Sequence, residues 1–404
     1  MQDATARFGS VDWAAQSHAA CIVDQQGHVV DQFTIEHTAS GLSTLVRQFQ
    51  RQQVHRVAIE RPDGPVVEAL LAAGLEVVVV SSRAVKALRT RYGQAGNKAD
   101  RSDAYVLADC LRTDGHRWPA LQPDSPTTQA LRAAVRARTD LVATRVATAN
   151  QLRAHLQRVF PGAVGVFAEL DSPIALRFLE RFPTADKAAW LSERRLAAWL
   201  QANGYCGRRS AAALLQRLRS APPGQHGPLA EAQATVTLSL VRVLRALVTE
   251  IAELAAHIRE QLAVHPDGPI FQSLPRAGTV RAAALLAEIG DCRARFPTPE
   301  TLAAVAGAVP STRASGQHHV VTFRWACDKP LRAALVDFAQ DSVRASPWAA
   351  HLYGRHRPQR KRHPHAARII TRAWIGVIWR CWQDRQPYDP SRHRALQRLL
   401  AQGG

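Results

Sequence analysis

The segment Leu75-Glu-Val-Val-Val-Val80 ends in four consecutive valines. A run this short and continuous suits a strand buried on both faces, which is the position that a parallel sheet between helices provides. Its surroundings fit that reading. Arg56-Val-Ala-Ile-Glu60 predicts a second such strand, and apolar residues at helical spacing (Leu42, Leu45, Val46, Phe49) predict a helix over 41–53. A helix over Val66–Ala73 stops at Gly74, and another is expected from about Ala99 to Arg112. Ahead of them, Arg7-Phe-Gly-Ser-Val-Asp-Trp-Ala, Ala19-Ala-Cys-Ile-Val-Asp and His28-Val-Val-Asp-Gln-Phe predict three strands, the last two joined at a Gln26-Gly27 turn.

Three strands followed by helix, strand, helix, strand and helix is an order typical of the α/β ribonuclease-H-like (RuvC-like) fold, expected here over residues 1–118. Past Pro119 and Pro123 the pattern changes. Residues 127–158 and 229–263 each predict one long helix, with shorter helices between them broken at Pro173, Pro183, Gly204 and Pro222-Pro223. Residues 119–265 are therefore expected to form a long helical, coiled-coil linker that pairs its helices or builds a subunit interface. A mostly α-helical C-terminal domain is expected over 266–404, opening at Pro266-Asp-Gly-Pro269.

With 404 residues, 46% of them apolar, the chain can bury two or three cores. Its 52 Lys and Arg against 33 Asp and Glu give a charge of +19, which attracts polyanions. Arginine supplies 47 of those cations, and its planar fork matches phosphate oxygens. Nucleic acid is thus the leading partner. The chain has no apolar run long enough to span a membrane and no signal-peptide core at its start, so a cytoplasmic, nucleoid-associated location is expected. Six scattered cysteines without a C-x-x-C pair give neither a disulfide framework nor a zinc knuckle. Between Asp341 and Asp384 no acid occurs, while Arg344, Arg355, Arg357, Arg360, Lys361, Arg362, Arg368, Arg372 and Arg380 do. Trp348, Tyr353, Trp374, Trp379 and Trp382 are interleaved with them, which predicts a basic surface with stacking side chains.

The acids of the first domain run against this charge. Asp12 lies in the first strand and Glu60 ends the fourth, and strand ends are where α/β sheets gather ligands. Asp100 and Asp103 share one face at the start of the closing helix. Four converging carboxylates repel unless a cation neutralises them, and hard oxygen donors suit Mg²⁺ or Mn²⁺. A two-metal site of that kind cleaves phosphodiesters. Each acid also has a plainer use, Asp100 as a helix cap, Asp103 paired with Arg101 or Lys98, and Glu60 paired with Arg61.

In the last domain, Pro310-Ser-Thr-Arg-Ala-Ser315-Gly316 predicts a loop presenting Ser311, Ser315 and Arg313. A serine there becomes a nucleophile only with help from a base, a metal or nearby positive charge. Leu274-Pro-Arg-Ala-Gly278 feeding a helix resembles a helix-hairpin-helix turn, whose backbone N–H groups hold a phosphate. The pairs His318-His319 and His363-Pro-His365 lack acidic or Cys partners at metal-ligand spacing and read as polar or phosphate-facing.

Taken together, Val11-Asp12-Trp-Ala, Val57-Ala-Ile-Glu60, Lys98-Ala-Asp100-Arg-Ser-Asp103-Ala, Leu285-Leu-Ala-Glu-Ile-Gly290 and Ala314-Ser315-Gly316 make the chain resemble the DEDD-type insertion-sequence transposases. The resemblance covers nearly the whole chain. It implies that Asp12, Glu60, Asp100 and Asp103 hold metal and that Ser315 attacks the phosphodiester, forming a transient phosphoserine link. It also implies double-stranded DNA as substrate, a structured bridge RNA as guide, and a homo-oligomer, dimer or tetramer, whose sites combine both domains across protomers. Other uses of the same residues are a RuvC-like endonuclease acting through water, with Ser315 idle, or a non-catalytic nucleic-acid-binding regulator. Gly278, Arg313, Arg355, Arg357, Arg360, Lys361 and Arg362 are the expected nucleic-acid contacts, and Ser311 is a rival nucleophile.

Overall fold

The computed structural model describes residues 6–89, 100–315, 318–356 and 363–402, without the side chains of Arg83, Leu88, Asp100, Arg313, Ala314, His318 and His356. Of the expected contacts, Arg357, Arg360, Lys361 and Arg362 lie outside the described residues. The chain forms two compact units, Met1–Pro123 and Asp124–Gly404.

Unit 1 is built on a five-stranded sheet of β1 (Arg7–Asp12), β2 (Ser17–Val23), β3 (Val29–Glu36), β4 (Val54–Ile59) and β5 (Glu76–Val79) in the order β3-β2-β1-β4-β5. The β3-β2-β1 meander is antiparallel, whereas β1, β4 and β5 run parallel. Helices α1 (Ala39–Arg51) and α2 (Pro65–Ala72) cover one face, where Leu45, Phe49, Val66 and Leu70 meet Val11, Val57 and Ile59. Helices α3 (Ser82–Arg89) and α4 (Asp100–Asp114) cover the other face. Sequence reading had no helix at α3, which begins where the Ser81 hydroxyl accepts the Ala84 N–H at 3.2 Å.

Side-chain size decides how closely α4 approaches. Ala19 and Cys21 on the sheet face Ala104 and Ala108 on the helix. With so little between the backbones, the Ser10 hydroxyl donates to the Ala104 carbonyl at 2.5 Å. At the far end of the helix, Arg56 at the start of β4 donates to the carbonyls of Gly115 (3.2 Å) and Trp118 (3.4 Å). Helix α4 therefore runs antiparallel to β1 and β4, and its N-terminus lies at the edge where those strands end.

The turn after β1 is held by a histidine pair. Buried His18 accepts the Ala14 N–H on Nδ1 (3.3 Å), and its Nε2 meets His37 Nδ1 at 2.8 Å. Burial and the neighbouring His37 push the His18 pKa below its ordinary value of 6.5.

Unit 2 is organised by two long helices, α5 (Pro126–Val159) and α11 (Gly227–Val264). They are antiparallel partners within one chain, because Thr128 bonds His265 at 2.8 Å and His155 bonds Thr237 at 2.9 Å. Around one end pack α6 (Pro161–Val164), α7 (Pro173–Arg181), α8 (Ala185–Ala189), α9 (Glu193–Ala202) and α10 (Ala211–Arg219), with Phe167, Phe178 and Phe182 at their centre. Around the other end pack α12 (Gly268–Gln272), α13 (Gly278–Ile289), α14 (Pro299–Val305), α15 (Lys329–Ser342), α16 (Pro347–His356), α17 (His363–Gln383) and α18 (Arg394–Gln402). Between α14 and α15, β6 (Ser311–Ser315) and β7 (His318–Thr322) form an antiparallel hairpin. The sequence predicts a loop at the serines, where β6 lies, and a strand or extended segment from Val320, which β7 overlaps. The polar segment Ser-Thr-Arg-Ala-Ser lacks the alternation of a half-buried strand, because much of the hairpin is exposed.

The expected row of stacking aromatics is corrected as well. Trp374 and Trp382 are fully buried and Trp348 nearly so, all in the core of the C-terminal helices. Their indole N–H groups are used internally, Trp374 to the Ser342 hydroxyl (2.8 Å) and Trp382 to the Gly290 carbonyl (2.9 Å). Trp379 likewise donates to the Phe296 carbonyl at 2.8 Å. These tryptophans build the core that the basic helices surround.

Two predictions follow from this packing. Trp374→Ala should destabilise unit 2 by about 3–5 kcal/mol, measured as a lower denaturation midpoint. Since His18 folds with a lowered pKa, stability is fully present above pH 6.5 and falls as the pH drops from there through the folded value. A pH series of melting temperatures should show this loss in the native protein and a shallower one in His18→Gln.

Candidate functional site

The strand register places the first two acids side by side. Val11 pairs with Ile59 across the parallel strands β1 and β4, so Asp12 and Glu60 leave adjacent strand ends at one edge of the sheet. Alternation places them on one face. Ser10 and Ala58 both face α4, and each acid lies two residues further along its strand. Asp103 lies in the first turn of α4, the end that reaches this edge, and is 3% exposed. The register and helix direction thus gather Asp12, Glu60 and Asp103, and Asp100 opens the same helix.

Lys98, one of the expected partners of Asp103, lies outside the described residues, and the partners that are described come from elsewhere. Asp103 accepts from Arg89 Nη2 at 2.5 Å, and Glu60 accepts from the Ser82 hydroxyl at 2.7 Å. Both partners belong to α3. Arg61 turns away from Glu60, stacks over the Trp13 ring at 4.5 Å and pairs with Asp63. Sequence reading missed Ser82 and Arg89; the Ser81-Ser82 pair after a strand was the available sign of a helix start.

Asp103 combines burial, a place in the first turn of a helix and an ion pair with Arg89. The donor set is all oxygen, as a hard divalent cation requires. Among the described residues no three His, Cys, Asp or Glu groups stand close enough to enclose a metal, and the Asp100 side chain lies outside that description. The oxygen donors suit a hard divalent cation, and the positive charge beside Asp103 is that of Arg89.

In unit 2 the two candidate serines separate along one strand. Ser311 pairs with Thr322 at the root of the hairpin, while Ser315 pairs with His318 at its tip and is exposed. Gly278 opens α13 with φ +56° and its backbone faces solvent. The guanidiniums nearby are already engaged, Arg276 with Asp341 (3.0 Å) and Arg281 with Asp341 (2.8 Å) and Asp337 (2.7 Å). Arg355 is exposed near the end of α16. His363 bonds the Tyr353 hydroxyl at 2.8 Å, in keeping with a polar role.

Charge divides sharply between the units. Residues 1–123 carry 13 Lys and Arg against 13 Asp and Glu, so the whole surplus of 19 belongs to residues 124–404. Among the described residues no helix is long and apolar enough to cross a membrane.

A transposase family model of the DEDD, IS110 type matches residues 10–161, and one described as "Transposase IS116/IS110/IS902 family" matches residues 268–354. A Streptomyces coelicolor protein described as a candidate transposase for the IS117 mini-circle is 32% identical over 404 residues, covering 97% of both chains. The 42 kDa protein of insertion element IS900 from Mycobacterium paratuberculosis is 29% identical, covering 80% of this chain and 81% of its own. The 43.6 kDa protein of IS110 from Streptomyces coelicolor is 29% identical over 78% of each. The chain belongs to the IS116/IS110/IS902 family of transposases, whose activity is the cutting and rejoining of DNA.

Proposed function

We propose that the protein cuts and rejoins DNA at insertion-sequence ends through Ser315, with Asp12, Glu60, Asp100 and Asp103 as a metal-holding tetrad in a ribonuclease-H-like unit. What supports this reading is that Asp12 and Glu60 leave neighbouring strand ends and Asp103 lies in the first turn of the helix that reaches the same edge, in the unit whose charges balance. Mg²⁺ or Mn²⁺ bound there would neutralise the attacking and leaving oxygens. Asp103 is held in place by the Ser10–Ala104 bond, and Glu60 is oriented by Ser82. The Ser315 Oγ attacks phosphorus and loses its proton. The bond from phosphorus to the sugar oxygen breaks, and that oxygen leaves as a hydroxyl. A hydroxyl of the strand to be joined then displaces serine by the reverse step, so the phosphodiester bond is conserved without ATP.

Unit 2 binds the polyanions, since it carries the entire surplus charge. Its partners in this reading are double-stranded DNA of the element ends and target and an element-encoded structured RNA, held by a dimer or tetramer. Gly278, Arg313, Arg355, Arg357, Arg360, Lys361 and Arg362 are the proposed contacts.

Ser315→Ala should abolish the covalent protein–DNA adduct and excision while DNA binding persists, and Ser311→Ala should retain the adduct; denaturing gels of labelled element ends read both. A Ser315→Ala protein that still forms the adduct overturns the assignment. Asp12→Asn should lower strand cleavage by on the order of a hundred-fold or more while the protein stays folded, and Asp103→Asn should do the same with some loss of melting temperature from the broken Arg89 pair. Arg89→Ala should leave Asp103 without its cation and destabilise unit 1 by about 2 kcal/mol in chelator, with part of that loss restored by Mn²⁺.

A further inference from the structure

Just beyond the hairpin that carries Ser315 stands a side chain that unit 2 leaves uncovered. Trp325 lies three residues past the end of β7 and is 80% exposed. An indole is large and apolar, and leaving it in water forgoes the burial that usually anchors a tryptophan. The ring is nonetheless fixed. It packs edge to face on Phe323, with centroids 4.8 Å apart and planes at 88°. Over the Phe323 ring stand the guanidiniums of Arg332 at 4.5 Å and Arg368 at 4.7 Å. Arg332 also donates to the carbonyls of Ala306 (3.3 Å) and Arg324 (2.5 Å), and the Asp328 N–H donates to the Val305 carbonyl at 2.9 Å. The pedestal under Trp325 is thus tied to the end of α14 and the start of α15.

We propose that Trp325 is a stacking platform for an unpaired base of the DNA strand on which Ser315 acts. A rigid exposed π face beside two guanidiniums meets the two requirements of a single strand, stacking for the base and positive charge for the phosphate. Charge selects the occupant. The surplus of 19 positive charges carried by this unit attracts a polyanion. Chain length sets the reach. From His318, opposite Ser315, to Trp325 the backbone spans at most about 23 Å, the rise of about seven nucleotides in one strand of a duplex. An unpaired base on Trp325 is therefore within reach of the strand held at Ser315. Exchange of strands requires bases to leave one partner before they join another, and Trp325 would hold one of them in between. The proposal rests on the assignment of Ser315, which is what makes the strand DNA.

The full-length protein, its Trp325→Ala, Trp325→Leu and Trp325→Phe variants and Ser315→Ala are compared for binding a short fluorescein-labelled single-stranded DNA of mixed sequence by anisotropy. The same sequence as duplex DNA and as RNA serves for comparison. Ala and Leu should each weaken single-strand DNA binding by roughly ten-fold, Phe should keep most of it, and the duplex should be least affected. Because binding is read without chemistry, Ser315→Ala should bind like the native chain, and a failed serine assignment shows instead as a surviving adduct. The platform is overturned if Leu binds as well as Trp, if only RNA binding falls, or if Trp325→Ala lowers the melting temperature. It is equally overturned if that substitution dissociates a dimer on gel filtration while DNA binding stays unchanged.

Discussion

A buried carboxylate must find a cation, and this constraint runs through the whole structure. In a low-dielectric interior an unpaired charge is costly, so a buried acid draws a guanidinium and in several places with it a second piece of chain. Asp124 shows the consequence most fully. It accepts the N–H groups of Asp291 (2.9 Å) and Cys292 (3.1 Å), pairs with Arg132 and Arg295, and so ties the start of α5 to the end of α13. Gly290 beside it has φ +87°, and any Cβ there would strike the Asp124 carboxylate. Glu288 takes both nitrogens of Arg136 (2.9 and 2.7 Å), and Asp267 takes both of Arg293 (2.5 and 2.7 Å). These pairs fix the long helices to the C-terminal core, and they set aside part of the arginine count for structure.

Asp103 obeys the same constraint in a different way. Its side chain is 4% exposed, but its partner Arg89 is 36% exposed and stands at the last residue of a helix only eight residues long. Asp124 has two guanidiniums and two backbone donors, whereas the arginine of Asp103 can be withdrawn into water by moving one side chain. A charge neutralised by a removable partner is suited to exchange that partner for a metal ion. A charge locked by four donors is suited to hold helices together.

The legible parts of the sequence were those governed by local periodicity. The valine run of β5, the strand ends at Asp12 and Glu60, and the two long helices lie within a few residues of where spacing predicts them. Acids stood out because they contradicted the prevailing charge. What was not legible depends on tertiary choice. Nothing in Arg89 itself distinguishes it from Arg101 as the partner of Asp103, since that is decided by where α3 lands. The tryptophans were misread although a signal was present. Ile370, Trp374, Ile378 and Trp382 recur every four residues, which marks a helix stripe facing a core more strongly than their arginine neighbours mark a surface. Trp325 belongs to no such stripe, and it stays outside.

The division of charge between the units explains why one chain can carry both a carboxylate site and a polyanion surface. A cluster of acids near the phosphate backbone would repel the substrate, and a surface dense in arginine would quench the acids by pairing with them. In unit 1 the 13 cations and 13 acids cancel, so no excess of guanidinium competes for Asp12, Glu60 and Asp103. In unit 2 the surplus of 19 remains after its buried acids have taken their partners. The surplus is thereby a property of the unit that presents Ser315, while Asp12, Glu60 and Asp103 stand in the unit whose net charge is zero.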